Sequence, residues 1–130
     1  MFTIAEITTA HSKVKSGADF PKYIQDLVRL GVQKYESHVS DGHVTYFGNA
    51  NFSVTSPAMY EEITVSDKSD DEKLRHALKI HQQGETDYHT FCLQVAEAGV
   101  EKWQVDMQLL TCTYFDKSGG QMVVEKIPNI

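Results

Sequence analysis

Asp19-Phe20-Pro21-Lys22-Tyr23-Ile24-Gln25-Asp26-Leu27-Val28-Arg29-Leu30-Gly31-Val32-Gln33-Lys34-Tyr35 is the stretch on which the reading of this chain turns, because an altered copy follows it. A shift of 68 positions places Asp19 on Asp87, Tyr23 on Phe91 and Gly31-Val32 on Gly99-Val100. The same shift places Lys34-Tyr35 on Lys102-Trp103 and Thr45-Tyr46-Phe47 on Thr113-Tyr114-Phe115. Seven of the 29 positions from 19 to 47 are identical without a gap, where chance supplies about two. A period of this kind predicts two related units, about 1–65 and 66–130, within one domain spanning 1–130.

Each unit reads as two helices and three strands. Thr3 with Glu6 forms a capping box, and Ile7, Ala10 and Val14 follow at helical spacing, with an end at Ser16-Gly17. Asp19 caps a second helix, Pro21 fits its first turn, and Gly31 stands where a left-handed C-cap is expected. From Val32 the period becomes two. Tyr35, Ser37, Val39, Val44 and Tyr46 share one face, and Lys34, Glu36, His38 and Ser40 share the other. Asp41-Gly42 predicts a two-residue hairpin turn pairing Val39 with Val44 and Ser37 with Tyr46. A strand over 51–55 and a short edge strand at Ile63-Thr64-Val65 complete the first unit.

The second unit repeats this order. Ser69 with Glu72 reads as another capping box, Leu74, Ala77, Leu78 and His81 as a helix, and Gln83-Gly84 as its end. Thr86 or Asp87 caps a fourth helix bearing Tyr88, Phe91, Cys92, Val95 and Ala98. Trp103, Val105, Met107, Cys112 and Tyr114 then occupy the inward face of the strands, and Lys102, Gln104, Asp106, Thr111 and Thr113 the outward one. The expected fold class is α+β. An antiparallel sheet, shared by the two units about a pseudo-twofold axis, carries four helices on one face and leaves the other wet. Strand order is not readable at this level.

The composition suits a soluble globular protein: 41% hydrophobic, 10% aromatic and a formal charge of −6. An acidic chain without a Lys/Arg cluster argues against nucleic acid as a partner. No apolar run reaches the length of a membrane span, and the opening residues carry no basic-then-apolar leader, so a cytoplasmic protein is expected. Two unpatterned cysteines, Cys92 and Cys112, fit reduced thiols buried as small hydrophobes.

Several motifs resemble one known family. They are 12–23 (Ser-Lys-Val-Lys-Ser-Gly-Ala-Asp-Phe-Pro-Lys-Tyr), Ser40-Asp41-Gly42-His43, Val54-Thr55-Ser56-Pro57, 81–88 (His-Gln-Gln-Gly-Glu-Thr-Asp-Tyr) and 96–103 (Ala-Glu-Ala-Gly-Val-Glu-Lys-Trp). The family is a domain of unknown function, family 1398, found in short bacterial and prophage proteins and often labelled "phage envelope protein". The resemblance implies a cytoplasmic α+β domain sometimes carried by phages, and no activity, cofactor or catalytic residue. Neither a membrane span nor an export signal supports the "envelope" label.

Candidate functional residues fall in two places. His38 and His43 flank the Asp41-Gly42 turn on the wet face, with Glu36 on the same strand. Imidazoles and a carboxylate on one side are metal-ligand types. Here they lack helical i, i+4 spacing and a third imidazole, so solvated polar side chains are expected, and neither metal nor cofactor. Ser56-Pro57-Ala58-Met59-Tyr60 is irregular, and Ser56, Thr55 and Tyr60 could line a pocket between the units or serve as a connector. His81 reads as a satisfied, half-buried histidine, and His11 and His89 as surface positions. Lys34 and Lys102 match across the shift without an evident backbone reason.

No G-x-S-x-G, C-x-x-C, P-loop or dinucleotide glycine pattern is present. Two function classes therefore stand. One is a non-enzymatic binding, interaction or regulatory protein, working through the wet sheet face or the 56–60 loop on a protein partner or a second copy. The other is a small-molecule-sensing or hydrolytic domain with a pocket between the units. A concave pocket with convergent polar groups would favour the second, and a flat, filled junction the first.

Overall fold

The computed structural model describes residues 2–14 and 19–127. Helix α1 (Ile4–His11) starts at the expected capping box: Thr3 Oγ1 accepts the Glu6 amide at 3.2 Å, and Glu6 accepts the Thr3 amide at 3.0 Å. The helix stops at His11, and the end expected at Ser16-Gly17 lies outside the described residues. Helix α2 (Phe20–Leu30) carries Pro21 in its first turn and ends on Gly31 with φ +101°, a conformation that costs glycine nothing. Helix α3 (Asp71–Gln82) is capped one residue later than the Ser69 box implies. Asp70 accepts the Lys73 amide at 3.1 Å, because a carboxylate beside the helix start outcompetes the hydroxyl before it. Helix α4 (Tyr88–Glu97) is capped by Asp87 on the Thr90 amide at 2.7 Å.

Six antiparallel strands form one sheet: β1 (Lys34–His38), β2 (Val44–Phe47), β3 (Ser53–Thr55), β4 (Val100–Asp106), β5 (Thr111–Asp116) and β6 (Gln121–Lys126), in the order β3-β2-β1-β4-β5-β6. The first strand of each half meets at the centre, with Glu36 opposite Gln104. The hairpins share a register. Tyr35 pairs with Tyr46 as Trp103 pairs with Tyr114, and Lys34 pairs with Phe47 as Lys102 pairs with Phe115.

The β1–β2 register corrects the hairpin expectation. Ser37, not Val39, faces Val44, and Tyr35, not Ser37, faces Tyr46. The connection is the four residues 39–42 between His38 and His43, whose backbones stay bonded at 2.9 Å. Asp41 does not take positive φ, as a two-residue turn requires; Gly42 alone does, at +78°. The physical reason is a competing partner. The Val39 amide donates to Glu101 O on β4 at 3.0 Å, and the Val39 side chain is fully buried. A shift of two preserves the faces, since side chains alternate with period two. The expected start of β3 at 51 is also late: a 3₁₀ turn holds Asn49–Asn51, with Ala50 at φ +57° and Asn51 at +63°. Ile63-Thr64-Val65 forms no strand. Its Ile63 amide bonds to Ser40 O at 2.7 Å, on a loop and not on a sheet edge.

All four helices contribute to one core with the inward sheet residues, through Ile7, Tyr23, Ile24 and Leu27 from the first pair and Leu74, Leu78, Phe91 and Val95 from the second. Trp103 is 8% exposed and meets Phe91 edge-to-face at 5.8 Å between ring centroids. The other sheet face has no helix across it among the described residues. Among the described residues no helix is long and apolar enough to cross a membrane.

Candidate functional site

The open face is ordered in rows by the strand register. One row crosses all six strands as Thr55, Thr45, Glu36, Gln104, Thr113 and Val124. Flanking it, Lys34 faces Asp106 and His38 faces Lys102 across the central pair. Most of these side chains are half-buried by their neighbours. Lys34 Nζ lies 5.0 Å from the centroid of the Phe47 ring, and Lys102 Nζ lies 5.7 Å from that of Phe115. These two cation–π pairs supply the reason for the matched lysines that sequence reading lacked. The signal was present: both lysines and both phenylalanines recur under the same shift, on outward positions of the same hairpins.

At one corner of this face, His38 and His43 stack with ring centroids 4.1 Å apart and planes 7° from parallel. His43 Nδ1 sits 2.5 Å from Asp41 Oδ1, which also accepts the His43 amide at 3.0 Å. These bonds from His43 hold the Asp41 carboxyl below its usual range. Burial lowers His38, the stacked His43 lowers it further, and the Glu36 carboxylate pulls the other way. Glu36 itself pairs with Lys102 at 3.4 Å. The corner therefore favours a neutral His38 imidazole, able to donate or accept a hydrogen bond. Among the described residues no three His, Cys, Asp or Glu side chains are grouped so as to hold a metal ion.

Ser56 and Tyr60 lie apart from that face. Ser56 Oγ accepts the Val44 amide at 3.0 Å, and the Tyr60 hydroxyl donates to Val39 O at 2.5 Å. The Met59 and Tyr60 amides both donate to Asp41 O, at 2.8 and 3.3 Å. The 56–60 segment thus fastens the chain over the β1–β2 loop on the helix side, where the Tyr60 ring meets His89 edge-to-face at 5.5 Å. Of the five candidates, Glu36, His38 and His43 come together and Ser56 and Tyr60 do not join them. Asp41, which orients His43, was not among the candidates, although its place two residues ahead of a histidine in a turn is the signature of an Asx-type bond.

His81 is held as expected. Its Nδ1 lies 3.1 Å from both Thr86 O and Oγ1, and its ring stacks on Phe91 at 4.4 Å. The thiols are buried. Burial raises Cys92 against the pull of the Tyr60 and Tyr88 hydroxyls, and burial pushes Cys112 up to about 12. Neither is a thiolate near neutral pH.

A shallow cleft of about 240 Å³ lies at the opposite end of the central strand pair, where Gln33 and Met107 from the two halves meet. Val28, Gly31, Val32, Asn49 and Gln108 complete its lining, so among the described residues no ionisable side chain lines it. Sequence reading missed this cleft because Met107 and Gln108 come from the far half of the chain.

The family described as "Protein of unknown function (DUF1398)" matches residues 8–126. The chain belongs to that family. Membership covers both hairpins, the open face and the cleft, and it brings no activity with it. No curated protein matches the chain.

Proposed function

We propose that this family member is a binding or interaction protein and not a catalyst, and that the open sheet face is its contact surface. The carrying observation is the pair of phenylalanines, Phe47 and Phe115, standing on the uncovered side of the sheet, each under a lysine. Aromatic rings flanked by cations and hydroxyls on a flat, half-buried face fit a protein partner. A second copy of the chain is the partner proposed first. The face bears alike groups on both sides of its centre, and a twofold contact is self-complementary by construction.

The test is sedimentation velocity from low to high micromolar protein. The wild type is expected to dimerise, and the Phe47→Glu, Phe115→Glu double variant to stay monomeric with an unchanged circular dichroism spectrum. A wild type that stays monomeric throughout removes the second copy as partner.

The internal duplication belongs to the same reading. The equal registers of the two hairpins and the repeat of 68 support it. Action in the cytoplasm is proposed on the two buried free thiols, which suit a reducing compartment. A prophage setting and a regulatory role are proposed on the family resemblance, and gene neighbourhood tests both. The small-molecule-sensing reading has one observation of its own, the cleft between the halves. Its hydrolytic form would need a base from outside that lining.

A further inference from the structure

The two helix-to-strand junctions are built alike and covered differently. Gly31 (φ +101°) follows α2 and Gly99 (φ +92°) follows α4 by one residue, and each is followed by a buried valine, Val32 or Val100. One backbone bond ties each junction to the other half. The Met107 amide donates to Gln33 O and the Val39 amide to Glu101 O, both at 3.0 Å.

Across the α4 junction runs the connector 63–70. Its Ile63 amide donates to Ser40 O at 2.7 Å, its Ser66 amide to Ala96 O at 2.9 Å and its Asp70 amide to Ala98 O at 2.8 Å. Asp67 accepts from Lys117 Nζ at 2.9 Å. A Cβ built on Gly99 would stand 2.5 Å from Lys68 O. At the α2 junction the described chain supplies buried Phe2, the counterpart of Asp70 under the same shift, whose ring a Cβ on Gly31 would meet at 3.8 Å. No described residue stands there as the counterpart of 63–69. The 240 Å³ cleft is what lies there. Val28, Gly31, Asn49 and Gln108 of its lining stand where Ala96, Gly99, Lys117 and Ser40 stand at the α4 junction, each offset by the same 68 residues. All four of those counterparts touch the connector.

We infer that the α2–β1 cleft is a docking site for an extended, uncharged polypeptide segment of a partner protein, held as the connector is held at the α4 junction. Main-chain N–H groups of the guest bond to helix-end carbonyls, and its small apolar side chains rest on Val28, Val32 and Met107. Three carboxamides, Gln33, Asn49 and Gln108, line the cleft; each can donate to or accept from a peptide backbone, and none attracts a charge. The Gln33 Nε2 donates to Asn49 Oδ1, which holds both amides at the rim. Main-chain bonding supplies affinity and the apolar floor supplies selection, as in other extended-peptide recognition. This surface lies apart from the open sheet face, and the inference does not rest on that reading.

The probe is a synthetic peptide of residues 62–70 (nine residues, Glu-Ile-Thr-Val-Ser-Asp-Lys-Ser-Asp), acetylated and amidated at its ends. It carries Asp67→Asn because Asn49 replaces Lys117 at the open junction, and Glu62→Gln, Lys68→Gln and Asp70→Asn so that it is uncharged. It is titrated into the ¹⁵N-labelled full chain. Saturable amide shifts confined to Val28, Gly31, Gln33, Asn49 and Gln108 are expected. Val28 is 50% exposed, so Val28→Trp folds and lays a ring over the cleft, and it should weaken binding about tenfold or more. An otherwise unchanged amide spectrum shows that this variant is intact. Shifts centred on the α4 junction, no saturation at millimolar peptide, or an equal response to a scrambled peptide each overturn the inference.

Discussion

Tyr35 and Trp103 pair across their hairpins with Tyr46 and Tyr114 in the same register, yet they sit in different interiors. Around Trp103 the corresponding positions hold Phe91, Val105 and Cys112, all buried, with the rings of Tyr114 and Tyr88 at centroid distances of 6.0 and 6.4 Å. Around Tyr35 the corresponding positions are Tyr23, Ser37 and Val44. The Tyr23 and Tyr46 hydroxyls bond to each other, and burial raises both phenols. Ser37 is buried at 2% exposure, with the Tyr88 phenol beside it. One backbone thus sets two buried hydroxyls, Tyr23 and Tyr46, against each other in the first half, where the second half has Phe91 and Tyr114. Apolar contacts tolerate small shifts, whereas a buried hydroxyl without a partner costs about 1–3 kcal/mol. The first half should therefore be the more directional of the two and the more sensitive to single-atom changes.

Truncating Trp103 is the strongest way to break this comparison. Trp103→Ala should destabilise the chain by about 3–5 kcal/mol in urea unfolding, by loss of burial and creation of a cavity. Trp103 is the sole tryptophan, so its emission should be blue-shifted and shielded from iodide in the wild type. Exposed-indole emission would reverse the assignment of the sheet faces.

The glycine pair sharpens the contrast between covered and open junctions. Gly31→Ala carries only left-handed strain, about 1–2 kcal/mol. Gly99→Ala carries that strain and must also displace backbone at Lys68 and Ser69, adding about 1–3 kcal/mol of overpacking. Equal losses in thermal unfolding would mean that the connector yields freely. Tyr60→Phe deletes the bond to Val39 O without altering the ring, and should cost about 1 kcal/mol. No loss would show that the bonds of the 56–60 segment to Asp41 and Val44 hold it without the phenol.

The smallest expected effect concerns acid. Burial and the stacked His43 depress His38, so its neutral form is favoured in the folded state. That contribution is fully present above the ordinary histidine value, about 6.5, and is lost as pH falls below it toward the folded value. Asp41 is also depressed, and its contribution is lost further down, as pH falls below the ordinary carboxylate range. The measurement is urea stability at pH 7.5 and 5.5, and His38→Gln should flatten the difference. A steeper acid loss in that variant would place the titration elsewhere.

Much of this architecture was legible in local chemistry. The Thr3 capping box, the left-handed Gly31 and the Asp87 cap act within a few residues, so reading the sequence suffices to place them. The same holds for the alternation that put Tyr35, Trp103, Val105 and Tyr114 inside, because strand side chains alternate whatever their neighbours. Glu36, His38 and His43 could be assigned to one face for this reason. Their stacking and the Asp41 bond could not, since both depend on a loop two residues longer than Asp41-Gly42 suggests.

Residue types and spacing by themselves determined the helices, the strands apart from the one expected at 63–65, their faces and the repeat of 68. Tertiary structure alone decided the strand order, the register of the first hairpin, and which glycine junction is covered. Each of the last three rests on a partner far away in the chain: β4 against β1, Glu101 for the Val39 amide, and the 63–70 connector for Gly99. Local preference constrains a residue and its nearest neighbours. A hydrogen bond or a filled groove between distant segments is chosen only when the whole chain competes to satisfy its backbone and bury its apolar surface at once.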